Sequence, residues 1–348
     1  MKKFFYLALV IPIVLTSCNS SPEKEVPFIK EYLAKGELYM LGENLTDPRF
    51  INITDKYFII GNTKGEPLIE VYDVSTKFLL NKFLYIGNGP SEVLVLGNFQ
   101  GNTKQDNMYV YDFFKHRLFQ YNVSESAQNE KIEPRMIFER GEDSPLLYDK
   151  MYVGNDYFIA ESRDPRGRII LIDKNTHEAT YFLSYPDKKY VNTTLSDIVN
   201  ASLYATNITV NPSLDRVALG TYGAGMLDIC QIKNGELVSI WSHFDFYPEG
   251  IMVIPMGEQS VAANTKDSRD GYTFVCSTDK YVYALYSGRK LEEKKRASDE
   301  VRVVSWNGKE TYKIILDRPI ERLGVDLNDK FIYGITSEMD ILRFPIKK

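Results

Sequence analysis

The sequence predicts an all-β fold: one six-bladed β-propeller of four-stranded antiparallel blades, with an N-terminal strand closing the last blade. Three observations lead there. Short runs rich in Val, Ile, Tyr and Phe, bounded by Gly, Asn, Asp or Pro, recur in blocks of four, and each block is roughly 40–60 residues long, a period typical of repeat architectures. The sixth block is one run short, while a spare run precedes the first. No segment carries the 3.6-residue period of a long amphipathic helix; at most, residues 193–199 form a turn or two inside a loop.

The first block reads Arg49–Ile53, Tyr57–Gly61, Leu68–Val74 and Phe78–Tyr85. The second reads Val95–Gln100, Met108–Phe113, Arg117–Val123 and Arg135–Glu139. The third has Lys150–Val153, Tyr157–Glu161, Arg168–Asp173 and Ala179–Leu183, and the fourth Thr206–Val210, Arg216–Thr221, Met226–Ile232 and Leu237–Trp241. The fifth has Gly271–Cys276, Tyr281–Tyr286, Glu300–Trp306 and Thr311–Leu316. The sixth stops after Ile320–Asp326, Phe331–Thr336 and Met339–Pro345. A ring of blades must close without a raw sheet edge, since exposed edges invite misassembly. Lending Gly36–Leu41 to the sixth block achieves that closure and favours a propeller over a linear array.

Turn chemistry supports the blocks. Asp73 and Asp173 occupy the same place between third and fourth runs, where an Asp side chain bonds its own backbone. Asn234-Gly235 and Asn307-Gly308 fill that place in the next blocks, and Asn-Gly suits a two-residue hairpin because both residues accept positive φ.

Hydrophobic residues at 44% and aromatics at 13% supply an ample core, biased towards side chains that suit half-buried sheets. The formal charge is −5 and becomes more negative once Lys2 and Lys3 leave with a leader. Nucleic-acid binding needs a basic excess to neutralise phosphates, so it is excluded as a leading reading. Beyond Cys18, Cys230 and Cys276 sit in apolar runs and read as buried free thiols; an oxidising compartment would also permit a disulfide.

The N-terminus reads as an export signal. A basic Met1-Lys2-Lys3 precedes the apolar run Phe4–Leu15, which is too short for a permanent span. Leu15-Thr16-Ser17-Cys18 resembles the bacterial lipobox, which implies cleavage before Cys18 and lipidation of its thiol. The expected organisation is a signal peptide over 1–17, a lipidated Cys18 and polar tether over 18–30, and one propeller domain over 31–348. The implied location is the cell envelope, as an outer-membrane lipoprotein of a Gram-negative bacterium, on its periplasmic or surface side.

Two motifs carry a family resemblance. Lys115-His116-Arg117-Leu118-Phe119-Gln120-Tyr121 is similar to the Asn-His-Arg-Ile-Gln-Val-Phe stretch of NHL-type blades, with Lys in place of Asn. Gly87-Asn88-Gly89-Pro90-Ser91-Glu92 resembles the Gly-x-Gly-Pro-Gly-Glu turn of TolB-like six-bladed propeller lipoproteins, with Ser91 replacing a Gly. The resemblance covers nearly the whole mature chain and implies a fold and a location, not a chemistry.

Function is expected where loops gather on a rigid scaffold. In such blades the loops joining second to third strands, and those leading into the next blade, share one face. That face would hold 62–66, 87–92, 113–117, 140–147, 162–168, 185–204, 222–225, 244–270 and 287–299. The candidate ligand-binding residues there are Glu92, Lys115, His116, Arg117, Arg163, Arg166, Arg168, Tyr222, Tyr286 and Arg289. Arg suits bidentate capture of carboxylates or sulfates, and the aromatics suit stacking on sugars or peptide side chains. The competing reading is a set of solvated loop charges, with Arg117 bracing its blade.

Enzyme signatures are sparse. The sequence has no Gly-x-Ser-x-Gly elbow, and His116, His177 and His243 lack metal-ligand spacing. The leading expectation is therefore a non-catalytic module that docks a protein, peptide or glycan, with no cofactor. The alternative is a calcium-dependent lactonase or hydrolase of the six-bladed type, its ion held by oxygens such as those of Asn52, Asn98 and Asn207.

Overall fold

The structure, a computed structural model, describes residues 28–347 apart from 103, 130, 142–143, 147, 257–258 and 294–296. Two short strands, β1 (Glu31–Ala34) and β2 (Glu37–Met40), precede the first blade. Blade 1 comprises β3 (Pro48–Ile53), β4 (Tyr57–Asn62), β5 (Ile69–Asp73) and β6 (Leu79–Phe83). Blade 2 comprises β7 (Leu96–Asn102), β8 (Asn107–Asp112), β9 (Arg117–Asn122) and β10 (Arg135–Glu139), with helix α1 (Val123–Gln128) between the last two. Blade 3 is β11 (Tyr148–Val153), β12 (Tyr157–Ser162), β13 (Ile169–Asp173) and β14 (Ala179–Phe182). Helix α2 (Asp197–Ser202) leads to blade 4: β15 (Thr206–Val210), β16 (Arg216–Thr221), β17 (Met226–Lys233) and β18 (Glu236–Phe244).

A two-stranded hairpin, β19 (Ile251–Met256) and β20 (Gln259–Asn264), is inserted before blade 5. Blade 5 holds β21 (Tyr272–Ser277), β22 (Tyr281–Tyr286), β23 (Ser298–Ser305) and β24 (Thr311–Ile320). Blade 6 holds β25 (Arg322–Val325), β26 (Phe331–Ile335) and β27 (Ile341–Pro345). Its fourth strand is β2, which pairs antiparallel with β27. The fold is the six-bladed, four-stranded architecture expected, closed by the N-terminal strand.

The apolar runs have a physical cause. The second strand of each blade is buried on both faces; all six residues of β4 are buried. Alternate residues turn to opposite neighbours. Ile59 and Val71 pack with Leu96 and Val110 of blade 2, while Phe58, Ile60 and Tyr72 pack with Tyr333 and Ile335 of blade 6. The same straddling joins blades 2 and 3, 3 and 4, 4 and 5, and 5 and 6. The core is thus a ring of inter-blade interfaces, and close approach there demands small residues. A Cβ on Gly220 would lie 2.7 Å from Val275 of the next blade.

The predicted Asp turns form. Asp73 Oδ1 accepts the amides of Ser75 and Thr76, and Asp173 Oδ1 those of Asn175 and Thr176. Asn234 and Gly235 both take positive φ, as a two-residue hairpin requires. Asn307-Gly308 differs: only Gly308 is left-handed, and the loop is longer, closed by the Ser305 amide donating to the Glu310 carbonyl.

Helix α1 is absent from the sequence reading, and three further features depart from it. β1 lies parallel to β24 as a fifth strand of blade 5, Glu31 opposite Lys313. Strand β18 runs three residues beyond the expected end at Trp241. The hairpin β19–β20 replaces an expected loop; Ile251, Val253 and Ala262 pack on Leu195, Val199, Leu203 and Tyr204. Its other face leaves Met252, Ile254, Met256 and Val261 exposed.

Candidate functional site

The first strands of the blades surround a central channel with a cavity of about 520 Å³. Each strand contributes one face of its alternation: Ile51 and Ile53 point into one inter-blade cluster, while Asn52 lines the channel with them at its wall. Register defines two ends. Pro48 at the start of β3 faces Asn62 at the end of β4, so Arg49, Thr63 and Lys64 share the upper end, where second strands turn into third. Pro212, Thr278 and Leu327 follow the ends of first strands, or their turns, at the lower end.

The lower end is bridged. Lys104, after β7 of blade 2, places its Nζ 3.0 Å from Ser213 Oγ beside blade 4 and 2.9 Å from Asp279 Oδ1 in blade 5. Blades 2 and 5 stand opposite in the ring, so this side chain crosses the mouth. The upper end carries Arg49, Lys64, Lys150 and Arg322, with no carboxylate among the residues lining the cavity.

Arg49 and Lys150 have their counter-charges behind them. Arg49 reaches Asp47 at 3.3 Å and Glu321 of blade 6 at 3.1 Å. Lys150 reaches Glu161 at 3.3 Å. Side-chain exposure is 31% for Arg49 and 28% for Lys150, against 11% for Asp47 and 1% for Glu161. The surface presented to the cavity is therefore positive although the local charge is nearly balanced, and low-dielectric walls focus that field.

Amides tie the first strands together. Asn98 accepts from the Met151 amide at 3.0 Å and donates to the Met151 carbonyl at 2.8 Å. Gln100 repeats this two residues on with Val153, at 2.7 and 3.0 Å. These side chains stand in for a backbone ladder between blades 2 and 3. Asn207 donates to the Tyr272 and Thr273 carbonyls of blade 5, and its Oδ1 lies 3.3 Å from Lys150 Nζ.

This donor set does not fit calcium. Asn98 Oδ1 is already bonded, Asn207 Oδ1 faces an ammonium, and hard cations need carboxylate or carbonyl oxygens converging. Asn52 Oδ1 is buried without a hydrogen-bond partner, but the neighbouring charges are cationic. No cluster of three or more His, Cys, Asp or Glu placed to hold a metal occurs among the described residues.

None of the ten predicted site residues lines the channel. They lie on the expected face but are held by near neighbours. Glu92 folds back to accept the Gly89 amide at 2.7 Å, and a Cβ on Gly87 would collide with that carboxylate, which explains the glycine in this turn. Lys115 donates to the Gly87 carbonyl at 2.6 Å and braces the same loop. His116 Nδ1 lies 2.6 Å from the Tyr111 hydroxyl, its ring against Tyr148. Burial, and then the Arg140 charge, hold the His116 pKa below its ordinary range.

Arg117 pairs with Glu139 at 2.6 Å, bracing its blade. Arg163 donates to Asp149 at 2.7 Å and Arg166 to Asp164 at 2.7 Å. Arg168, buried, reaches Asp228 and Thr221 of blade 4, both at 2.9 Å. Arg289 pairs with Asp299 at 2.7 Å, Tyr222 donates to Asp270 at 3.3 Å, and the Tyr286 ring lies 3.4 Å under the Arg302 guanidinium. Arg163 and Tyr222 also line two smaller clefts, of about 320 and 180 Å³.

The channel cations escaped sequence reasoning, although a signal existed. Arg49 and Lys150 open the first runs of their blocks, and Arg322 lies three residues into its own. In a ring of blades the first strand lines the axis, so a charge there faces the channel. Cys230 and Cys276 are free thiols, and burial pushes both upward in pKa. Cys18 and the predicted signal peptide lie outside the described residues. The described chain begins at Phe28, whose ring packs edge-on against Trp241 and His243.

Comparison with known proteins matches this architecture. A family model described as TolB-like 6-blade propeller-like matches residues 24–328. A Bacteroides vulgatus ATCC 8482 structure from the DUF4221 family aligns with TM-score 0.54 at 14% identity, covering 90% of this chain and 96% of its own. A Bacteroides fragilis NCTC 9343 protein described as exported aligns with TM-score 0.51 at 13% identity, covering 91% and 99%. These likenesses are of fold. No curated protein matches the chain. With its closed ring of six blades and a family match along most of its length, this chain belongs to the TolB-like six-bladed propeller family.

Proposed function

We propose that the chain is an exported, lipid-anchored, non-catalytic binding module, holding part of a protein, peptide or glycan ligand at the upper end of its channel. One observation carries this reading. The channel cavity is lined by cations, amides, hydroxyls and aromatics among aliphatic side chains and the Cys276 thiol, and these lining residues form no hydrogen-bonded sequence of nucleophile, base and orienting group. On the same face, Arg117, Arg163, Arg166 and Arg289 spend their charges on pairs with neighbouring carboxylates. The lipobox-like Leu15-Thr16-Ser17-Cys18 and the exported Bacteroides fragilis relative of the same fold support an envelope location. Among the described residues, no helix is long and apolar enough to cross a membrane.

The test is a thermal-shift screen of the mature protein against glycan and peptide panels, followed by calorimetry. A ligand that binds only the native state raises its melting temperature, by about 2.7 kcal/mol of stability at a hundredfold excess over Kd. Binding without turnover of the ligand is the expected result; product formation sinks the non-catalytic reading. In cells, Cys18→Ala should move the protein from the membrane to the soluble fraction, and retention in the membrane would overturn the lipid anchor.

A further inference from the structure

We propose that the upper mouth of the channel is an acidic-saccharide site, in which Arg49 and Arg322 take the carboxylate of a uronate-type sugar. The inference rests on the binding-module reading and names its ligand class.

Position comes first. Arg49 of blade 1 and Arg322 of blade 6 flank one residue, Glu321. Its carboxylate accepts from Arg49 at 3.1 Å, and its backbone carbonyl accepts from Arg322 at 2.8 Å. The two guanidinium groups are thereby held on adjacent blades beside one cavity. Guanidinium presents a planar fork matched to carboxylate geometry. Lys150 approaches the same cavity from blade 3, opposite blade 6, anchored by the Thr206 carbonyl at 3.2 Å. Lys64 adds a fourth charge at the rim.

The neighbours of these cations decide the rest of the ligand. Phe50 and Phe274 stand with ring centroids 6.5 Å apart, and Arg322 lies 5.6 Å over the Phe274 ring. Deeper in the cavity, Asn52 has an unsatisfied buried Oδ1, and Thr209 and Ser277 share a hydrogen bond of 2.8 Å across blades 4 and 5. Aromatic faces beside hydroxyls, amides and a cation pair match a sugar ring with an acidic substituent: ring faces stack, hydroxyls exchange hydrogen bonds, and the carboxylate meets arginine. With Lys104 across the lower mouth, the ligand enters by the cationic end.

The experiment is calorimetry of the mature protein with three probes: a galacturonate oligomer, its carboxyl-reduced neutral counterpart, and a Glu-rich peptide of similar charge. The expected result is that only the uronate oligomer binds, at least tenfold more weakly in Arg322→Gln, and more weakly as salt rises. Arg322→Gln leaves the Arg49 ion pairs intact; Arg49→Gln is the second variant, and affinity is compared for the folded fraction of each. Equal binding of the neutral oligomer overturns the carboxylate assignment and leaves the binding-module reading standing. Preferential binding of the acidic peptide overturns the saccharide assignment alone. Unaltered uronate affinity in both variants overturns the site. If no probe binds, the saccharide proposal fails, and the wider peptide and glycan panels then decide the module reading separately.

Discussion

Two sets of cations share the upper face, and they are built differently. On the outer loops, Arg117, Arg163, Arg166 and Arg289 each meet a carboxylate of their own blade. Around the axis, Arg49 reaches across to Glu321 of blade 6, while Lys150 pairs with Glu161 of its own blade and also donates to the Thr206 carbonyl of blade 4. The outer pairs close locally and leave little field. The inner cations keep their counter-ions on the buried side, so a cavity shared by several blades receives their charge. Charge on a binding face is therefore a poor guide until its counter-ion is located.

The strongest challenge to this contrast is Arg168→Ala. Arg168 belongs to the outer set in sequence, yet it is 4% exposed and bound to Asp228 and Thr221. Removing one partner of a buried pair costs about 3 kcal/mol or more. Urea unfolding should show that loss, with ligand affinity of the folded fraction unchanged. A loss of affinity instead would return Arg168 to the binding site.

Next in size is Gln100→Leu, inside the channel wall. It strips both hydrogen bonds from Val153 and should cost about 2 kcal/mol, since buried backbone groups lose their partners. A change under a few tenths of a kcal/mol would mean that the amide clamps do not hold blades 2 and 3 together.

The third test uses acid. The folded-state pKa of His116 lies below its ordinary 6.5, through burial and the Arg140 charge. The unfolded chain therefore takes up the proton first as pH falls. The stability from neutral His116 is complete above about 6.5 and is lost as pH falls through the folded value. His116→Asn, which tolerates the φ of 50° there, should flatten that part of the stability–pH curve. An unchanged slope would show that the His116 environment is more open than its contacts with Tyr111 and Tyr148.

The smallest effect is expected for Arg166→Ala. Arg166 is 59% exposed beside Asp164, and exposed pairs contribute about 0–1 kcal/mol. Thermal unfolding should move little and ligand affinity not at all; a clear affinity loss would make the outer loops part of the site.

Much of the fold was legible locally. Asp73 and Asp173 turn the chain through their own backbone amides, and β2 could be matched to β27 because sixth-blade arithmetic left one vacancy. Strand β1 was not legible, because its partner β24 lies about 280 residues away and four residues carry too little pattern. The hairpin β19–β20 was hidden for a related reason: its buried face packs on α2 and Tyr204, while its other face stays apolar and exposed, so the usual alternation of polar and apolar residues is missing.

The sequence by itself determined the blade count, the closing strand and the face where loops gather, since strand period and turn chemistry act over a few residues. Only the tertiary structure decided which cations face a cavity. Arg49, Lys150 and Arg322 are brought to one channel by ring closure; inter-blade packing places Glu321 behind Arg49, and the pairing of β12 with β11 within blade 3 places Glu161 behind Lys150. Charge pairing depends on distances of a few ångströms between residues far apart in the chain, which no local pattern encodes.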